Sequence, residues 1–180
     1  MTGARTLSGK AKAAMILEAL KAAGIDLVAT LPDSWLSDLI DAIAADPLMT
    51  LVRVTREEEA IGLCAGAWLG GRKACVLVQN AGVLLSVNAL AGLAMHHQIP
   101  VLLLVAHRGG AEDNQYYQVY KGRVTAPVLA ALGLPHHWVL GPADYQRIGP
   151  AQRQAQLARL PVLLLFDRPA LVGDNAGEPA

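Results

Sequence analysis

The side chains whose types suit chemistry gather in a few short segments. "VTREEEAIGLCAGAWLGGRKACVLVQNAG", Val54 to Gly82, carries Glu57, Glu58 and Glu59 in succession, just ahead of a helix-forming run. A glutamate shielded from water can act as a general acid or base. Acids in a first helical turn also oppose the positive end of the helix dipole, each contributing about 0.3–1 kcal/mol. Position alone leaves both roles open. The same stretch closes on Gln79, Asn80 and Gly82, amides and a glycine that suit either a polar ligand edge or an ordinary turn. In "LPDSW", Asp33 and Ser34 could each cap a helix or face a ligand. In "AHRGG", His107 carries an imidazole, a group that ordinarily titrates near neutrality, and Arg108 could hold an anionic substrate or a carboxylate of its own domain. His96, His97, His136 and His137 stand just before apolar runs. Cys64 and Cys75 match no zinc or redox spacing and read as ordinary thiols.

The elements that must position these groups follow from the apolar pattern. "DLVATLP", "LVRVT", "ACVLVQN", "PVLLLVA", "HHWVL" and "VLLLFD" are short apolar runs that read as six strands. Helices are expected over 9–23, "SWLSDLIDAIAAD", 58–71, 84–96, "TAPVLAALG" and "DYQRIGPAQRQAQLARL", the last interrupted near Gly149-Pro150. Ala14, Ile16, Leu17 and Leu20 share one face of the first, with Ser8 as its cap and Gly24 as its stop. Residues 108–122 read as polar and irregular, and 169–180 as a loose tail behind a single domain of residues 1–168. Strands alternating with helices, and strands apolar on both faces, predict a three-layer α/β/α fold around a mostly parallel six-stranded sheet. In such sheets ligands sit beyond the carboxyl ends of the strands. That rule favours "LPDSW", "TREEE", "QNAGV" and "AHRGG", and it disfavours the four histidines at the amino ends. Gly62, Gly66 and Gly70 recur on one helical face, where each costs about 1 kcal/mol relative to Ala. They predict the close approach of another backbone, either this domain's sheet or a partner's helix.

The chain has 180 residues, 53% apolar and 17% charged, with 15 basic and 15 acidic residues. A zero net charge without a basic stripe argues against nucleic acid as a partner. No long apolar stretch marks a signal peptide or a membrane span, so a cytoplasmic location is expected. The apolar richness favours a face shared with another subunit. Neither a Walker loop nor dinucleotide-fingerprint spacing is present.

"REEEAIGLCAGAWLGGRKACVLVQNAGVLLSVNAL", with "IPVLLLVAHRG", "LPDSWLSDLID" and "GRVTAPVLAALGLP", resembles the pyrimidine-binding domain of thiamine-diphosphate-dependent decarboxylases over about residues 10–168. The likeness is greatest to those acting on sulfopyruvate and phosphonopyruvate. It implies thiamine diphosphate as cofactor, and a small anionic 2-oxo acid as substrate. It also selects among the glutamates. The family's glutamate lies nine residues before the glycine of the helix motif, and counting back from Gly66 gives Glu57. By resemblance Glu57 hydrogen-bonds the aminopyrimidine ring and favours its imino tautomer, while the cofactor supplies the electron sink. Gln79, Asn80 and Gly82 would flank the cofactor, and Asp33, Ser34, His107 and Arg108 would face the substrate. No metal ligand is expected from this chain.

Two departures qualify the resemblance. The Gly-Asp-Gly…Asn motif that holds Mg²⁺ and the diphosphate in such enzymes is missing, and "GDN", Gly173 to Asn175, in "VGDN" is a poor substitute. A separate diphosphate-binding (beta) subunit is therefore expected, with a homodimer of this chain inside a larger hetero-oligomer. Leu84-Leu85 stands where relatives commonly have Gly-Asn, and "EDNQYYQVYKG" has three tyrosines, as a lid, a subunit contact or a plain loop. A non-catalytic subunit that kept the fold is the alternative from another class, and a flavodoxin-like nucleotide module is a weaker one.

Overall fold

The computed structural model describes residues 6–174. Helix α1 (Gly9–Ala22) starts where the Ser8 hydroxyl accepts from the Ala11 N–H at 3.2 Å. It ends before Gly24, which adopts φ +76°. Its buried face is Ala13, Ile16, Leu17 and Leu20; Ala14, expected on that face, is exposed. Strand β1 (Leu27–Thr30) leads through a short 3₁₀ turn into α2 (Ser37–Ala45), and β2 (Thr50–Arg53) into α3 (Glu57–Leu69). After β3 (Ala74–Gln79) come α4 (Asn80–Leu85), the single turn α5 (Val87–Ala89) and a π-helical turn over Leu90–Met95. The helix expected over 84–96 is thus three pieces, and it begins four residues early.

Strand β4 (Leu102–Ala106) precedes α6 (Tyr116–Ala131), β5 (His136–Val139), α7 (Ile148–Ala158) and β6 (Val162–Phe166). Helix α6 corrects the expectation of an irregular 108–122 segment, since only its first part is loop. Gly149-Pro150 does not interrupt α7. Proline tolerates a first helical turn, where its missing N–H has no intrahelical role.

All five strand pairings are parallel, in the order β2-β1-β3-β4-β6-β5. Successive strand residues alternate between two cores. Val28, Cys75, Leu77, Leu104 and Leu164 pack with α1, α2 and α7, while Ala29, Val76, Val78, Leu103 and Leu165 pack with α3 and Leu129 of α6. This is the expected three-layer arrangement, and the central strands are apolar because both faces are covered. Burial pushes the Cys64 thiol up to about 12 and raises Cys75 too, which leaves both inert.

The segment 169–174, expected to be loose, packs against the amino end of α1. Lys12, 1% exposed, donates to the carbonyls of Pro169 and Val172, both at 2.8 Å, and to the Asp174 carboxylate at 2.5 Å. Asp174 also accepts from the Leu7 N–H. The aspartate of "VGDN" is therefore a structural anchor, and Asn175 lies outside the described residues. Among the described residues no helix is long and apolar enough to cross a membrane.

Candidate active site

The chain leaves β1 toward β2 on one side and advances from β3 to β4 on the other, so the strand order reverses between β1 and β3. Crevices at such reversals are where open α/β sheets bind ligands. The ends of β1, β3 and β4 and the start of α3 surround this one.

The three glutamates separate there. Glu59 folds back to accept from the Thr55 N–H at 3.0 Å and the Arg56 N–H at 3.3 Å. The Thr55 N–H holds its carboxyl below the usual range. Glu58 accepts from Arg56 Nε at 2.7 Å; its own backbone N–H and then Arg56 lower its pKa. Both are helix-start acids. Glu57 is buried, 7% exposed, and among the described residues no hydrogen bond reaches its carboxylate. Gly82, in the first turn of α4, lies against it. A Cβ added there would overlap Glu57 Cγ and lie 2.7 Å from Oε1. Glycine at 82 is thus required for the carboxylate to stand where it does. The carboxylate oxygens keep contact with solvent and have no hydrogen bond among the described residues, so they are open to a donor from a ligand. That observation fits an aminopyrimidine, and Glu57 is the residue that would hold it. Among the described residues no group of three or more His, Cys, Asp or Glu side chains could hold a metal ion.

The other expected residues divide. Gln79 ends β3 and accepts from Gln118 Nε2 at 3.3 Å, which leaves it at the crevice. Asn80 is fully buried and its amide is engaged. Its Nδ2 donates to Arg108 O at 2.9 Å and Thr125 Oγ1 at 3.2 Å, and its Oδ1 accepts from the Arg108 N–H at 3.2 Å. Asn80 is a clamp between β3, β4 and α6 rather than a cofactor contact.

His107, expected at the substrate, is buried elsewhere. Its ring lies edge-on to Trp138 of β5 at 4.6 Å, and its Nε2 is 3.2 Å from the Gly122 carbonyl. Burial lowers its pKa, so the ring is held neutral, opposed in part by the Gly122 carbonyl. The unfolded chain takes up the proton that the folded ring resists. Stability should therefore fall as pH drops below about 6.5, the value for a free histidine. Urea midpoints measured on either side of that pH should differ less in His107→Gln than in the parent.

Arg108, also expected at the substrate, is 4% exposed and already occupied. Its Nε and Nη2 grip the two oxygens of Asp113 at 2.8 and 3.1 Å. Its Nη1 reaches Asp33 Oδ2 at 3.4 Å and Ser34 Oγ at 3.2 Å, and the guanidinium lies over Trp35 at 4.2 Å. Asp33 also caps the 3₁₀ turn by accepting from the Trp35 N–H at 3.0 Å. Arg108 and Ser34 border a cavity of about 650 Å³ that runs toward Ser8, Arg168 and Asp174; Glu57 is not among its walls. Glu57 lies apart from that cavity, between the start of α3 and Gly82 of α4. Sequence reasoning missed Asp113, Gln118 and Lys121, which fall in the polar segment read as irregular. The four remaining histidines lie elsewhere: His96 and His97 pack on each other before β4, and His136 and His137 are on the edge strand β5.

The fold is a parallel α/β sheet with Glu57 packed against Gly82 beside the point where the strand order reverses. Residues 11–123 match the family described as thiamine pyrophosphate enzyme, N-terminal TPP binding domain, and the chain belongs to it. Within that family it resembles sulfopyruvate decarboxylase subunit alpha of Methanocaldococcus jannaschii, 37% identical over 84% of this chain and 90% of that one. The corresponding subunit of Methanococcus maripaludis is 33% identical over 84% of this chain and 92% of its own. The phosphonopyruvate decarboxylase of Streptomyces viridochromogenes is 30% identical over 93% of this chain but only 43% of its own length. A solved 2-oxoglutarate:ferredoxin oxidoreductase from Magnetococcus marinus shares the fold, with a TM-score of 0.72 at 18% identity, over 94% of this chain and 30% of that one.

Proposed function

We propose that this chain is the pyrimidine-binding subunit of a two-subunit, thiamine-diphosphate-dependent 2-oxo acid decarboxylase. Its substrate in this reading is 3-sulfopyruvate, and the products are sulfoacetaldehyde and carbon dioxide. The observation that carries the reading is Glu57, a mostly buried carboxylate with no hydrogen bond among the described residues and given room by Gly82. The cofactor, when bound, supplies the electron sink for loss of carbon dioxide. This chain's part is to hold Glu57 ready to exchange a proton with the pyrimidine in a site closed to water. The match to nine-tenths of the length of two proteins named as alpha subunits favours a separate partner. That partner would bring the diphosphate and Mg²⁺.

Surface features support assembly. Gly62 and Gly66 meet nothing within 4 Å of an added Cβ, so the approaching backbone they predict does not come from this domain's described residues. Leu69, Leu85, Tyr116 and Tyr120 are each about 70% exposed or more. Two copies of this chain within a cytoplasmic hetero-oligomer fit these faces. Phosphonopyruvate is the second substrate reading, favoured by the Streptomyces relative. Co-expression with a diphosphate-binding subunit should give carbon dioxide release from 3-sulfopyruvate that requires thiamine diphosphate. Stoichiometric assembly without turnover of either substrate would favour a non-catalytic subunit instead.

A further inference from the structure

A substrate with a second acidic group needs a cation at the crevice, and Arg108 is committed to Asp113, Asp33 and Ser34. Arg56 is paired with Glu58. Arg53 lies on the edge strand, separated from β3 by β1. Lys121 of α6 differs from these. Its ammonium makes no ion pair among the described residues. It donates to Gln118 Oε1 at 3.2 Å and lies 5.2 Å from the centre of the Tyr117 ring. Gln118, 4% exposed, in turn donates to Gln79 at the end of β3. An ammonium has three N–H groups, so this one retains donors for a ligand and a charge that no carboxylate among the described residues offsets.

The fold holds Lys121 there firmly. The Thr125 hydroxyl donates to the Lys121 carbonyl at 2.7 Å and accepts from Asn80 at 3.2 Å, which ties this turn of α6 to the end of β3. A Cβ on Gly122 would lie 2.6 Å from the Arg108 carbonyl, and one on Gly109, at φ +85°, would overlap the Gln118 carbonyl. The backbone of α6 therefore touches the exit of β4 directly. Such contact fixes the stretch of backbone from which Lys121 projects.

We propose that Lys121, carried by the Gln79–Gln118 pair, binds the second anionic group, a sulfonate or phosphonate at carbon 3, and so sets the preference for doubly charged 2-oxo acids. This rests on the decarboxylase reading above. The test is calorimetric titration of the assembled, cofactor-loaded complex with 3-sulfopropanoate and 3-phosphonopropanoate, which cannot be decarboxylated, and with propanoate. Lys121→Met should weaken both dianions about 10- to 100-fold, the loss expected for a hydrogen bond to a charged group. It should leave propanoate unchanged and raise KM for the substrate more than it lowers kcat. Lys121→Arg should restore most of the affinity, and the tighter dianion identifies the acid. Equal dianion binding by Lys121→Met overturns the proposal, as does an equal loss in Lys121→Arg or for propanoate. Should Lys121-dependent dianion binding persist in a complex that decarboxylates neither substrate, the decarboxylase reading falls and the anion subsite stands.

Discussion

Glu57→Gln should lower kcat of the assembled enzyme about 10²- to 10⁴-fold, the range expected on losing a positioned acid or base, while leaving the thermal midpoint close to that of the parent. An amide keeps the shape and a hydrogen-bonding oxygen but cannot exchange the proton. Little stability should be lost, because among the described residues the carboxylate makes no hydrogen bond to give up. Gly82→Ala should reproduce the catalytic defect by another route, since its methyl group occupies the space of the Glu57 side chain. Glu58→Gln should leave the rate unchanged, because that carboxylate is engaged with Arg56 at the helix start. A rate measured on purified complexes under saturating thiamine diphosphate separates these outcomes. Normal turnover by Glu57→Gln would remove the basis of the proposed chemistry.

The strands and their parallel direction were legible because burial on both faces writes itself as continuous apolar runs, as in "CVLV" and "LLLV"; the order in which they pair was not. The edge strand β2 was found too, although it is only half covered. Helix α6 was not legible in its first two turns. Tyr116, Tyr117, Val119 and Tyr120 are exposed, so no apolar stripe announces the helix. What docks it is backbone contact through Gly109 and Gly122 and the Asn80–Thr125 hydrogen bond, none of which has a periodicity to read. The site shows the same division. Glu57 was selected by family spacing, and burial separates it from its neighbours. Which partner Arg108 takes depends on Asp113, five residues along a loop whose path the sequence does not specify. The identity of a cation was visible; whether its charge was already neutralised was not.

That neutralisation makes Arg108→Ala the variant with the largest expected effect on stability. Asp113 has a fully buried side chain and Asp33 is 7% exposed there, so truncation strands charge in the interior. Breaking a buried pair from one side costs about 3–5 kcal/mol, against about 0–1 kcal/mol for a surface pair. Two backbone donors remain to Asp113, from Gly109 and Gln115, which argues for the lower part of that range. Burial alone would raise the Asp113 pKa, but Arg108 and those two N–H groups outweigh it and hold the carboxyl low. A depressed carboxyl contributes stability above its unfolded pKa, near 3.9, and loses it as pH falls through the folded value. Without Arg108 burial dominates, and protonation then relieves the variant. The gap in unfolding free energy between parent and Arg108→Ala should therefore be widest near neutral pH and narrow below about pH 4. Arg108→Ala with Asp113→Asn should be more stable than Arg108→Ala alone, because the stranded charge is gone. If Arg108 instead served chiefly to bind substrate, the single variant would unfold like the parent and lose affinity for the dianion. Urea titrations of the three proteins at neutral and acidic pH decide between the two.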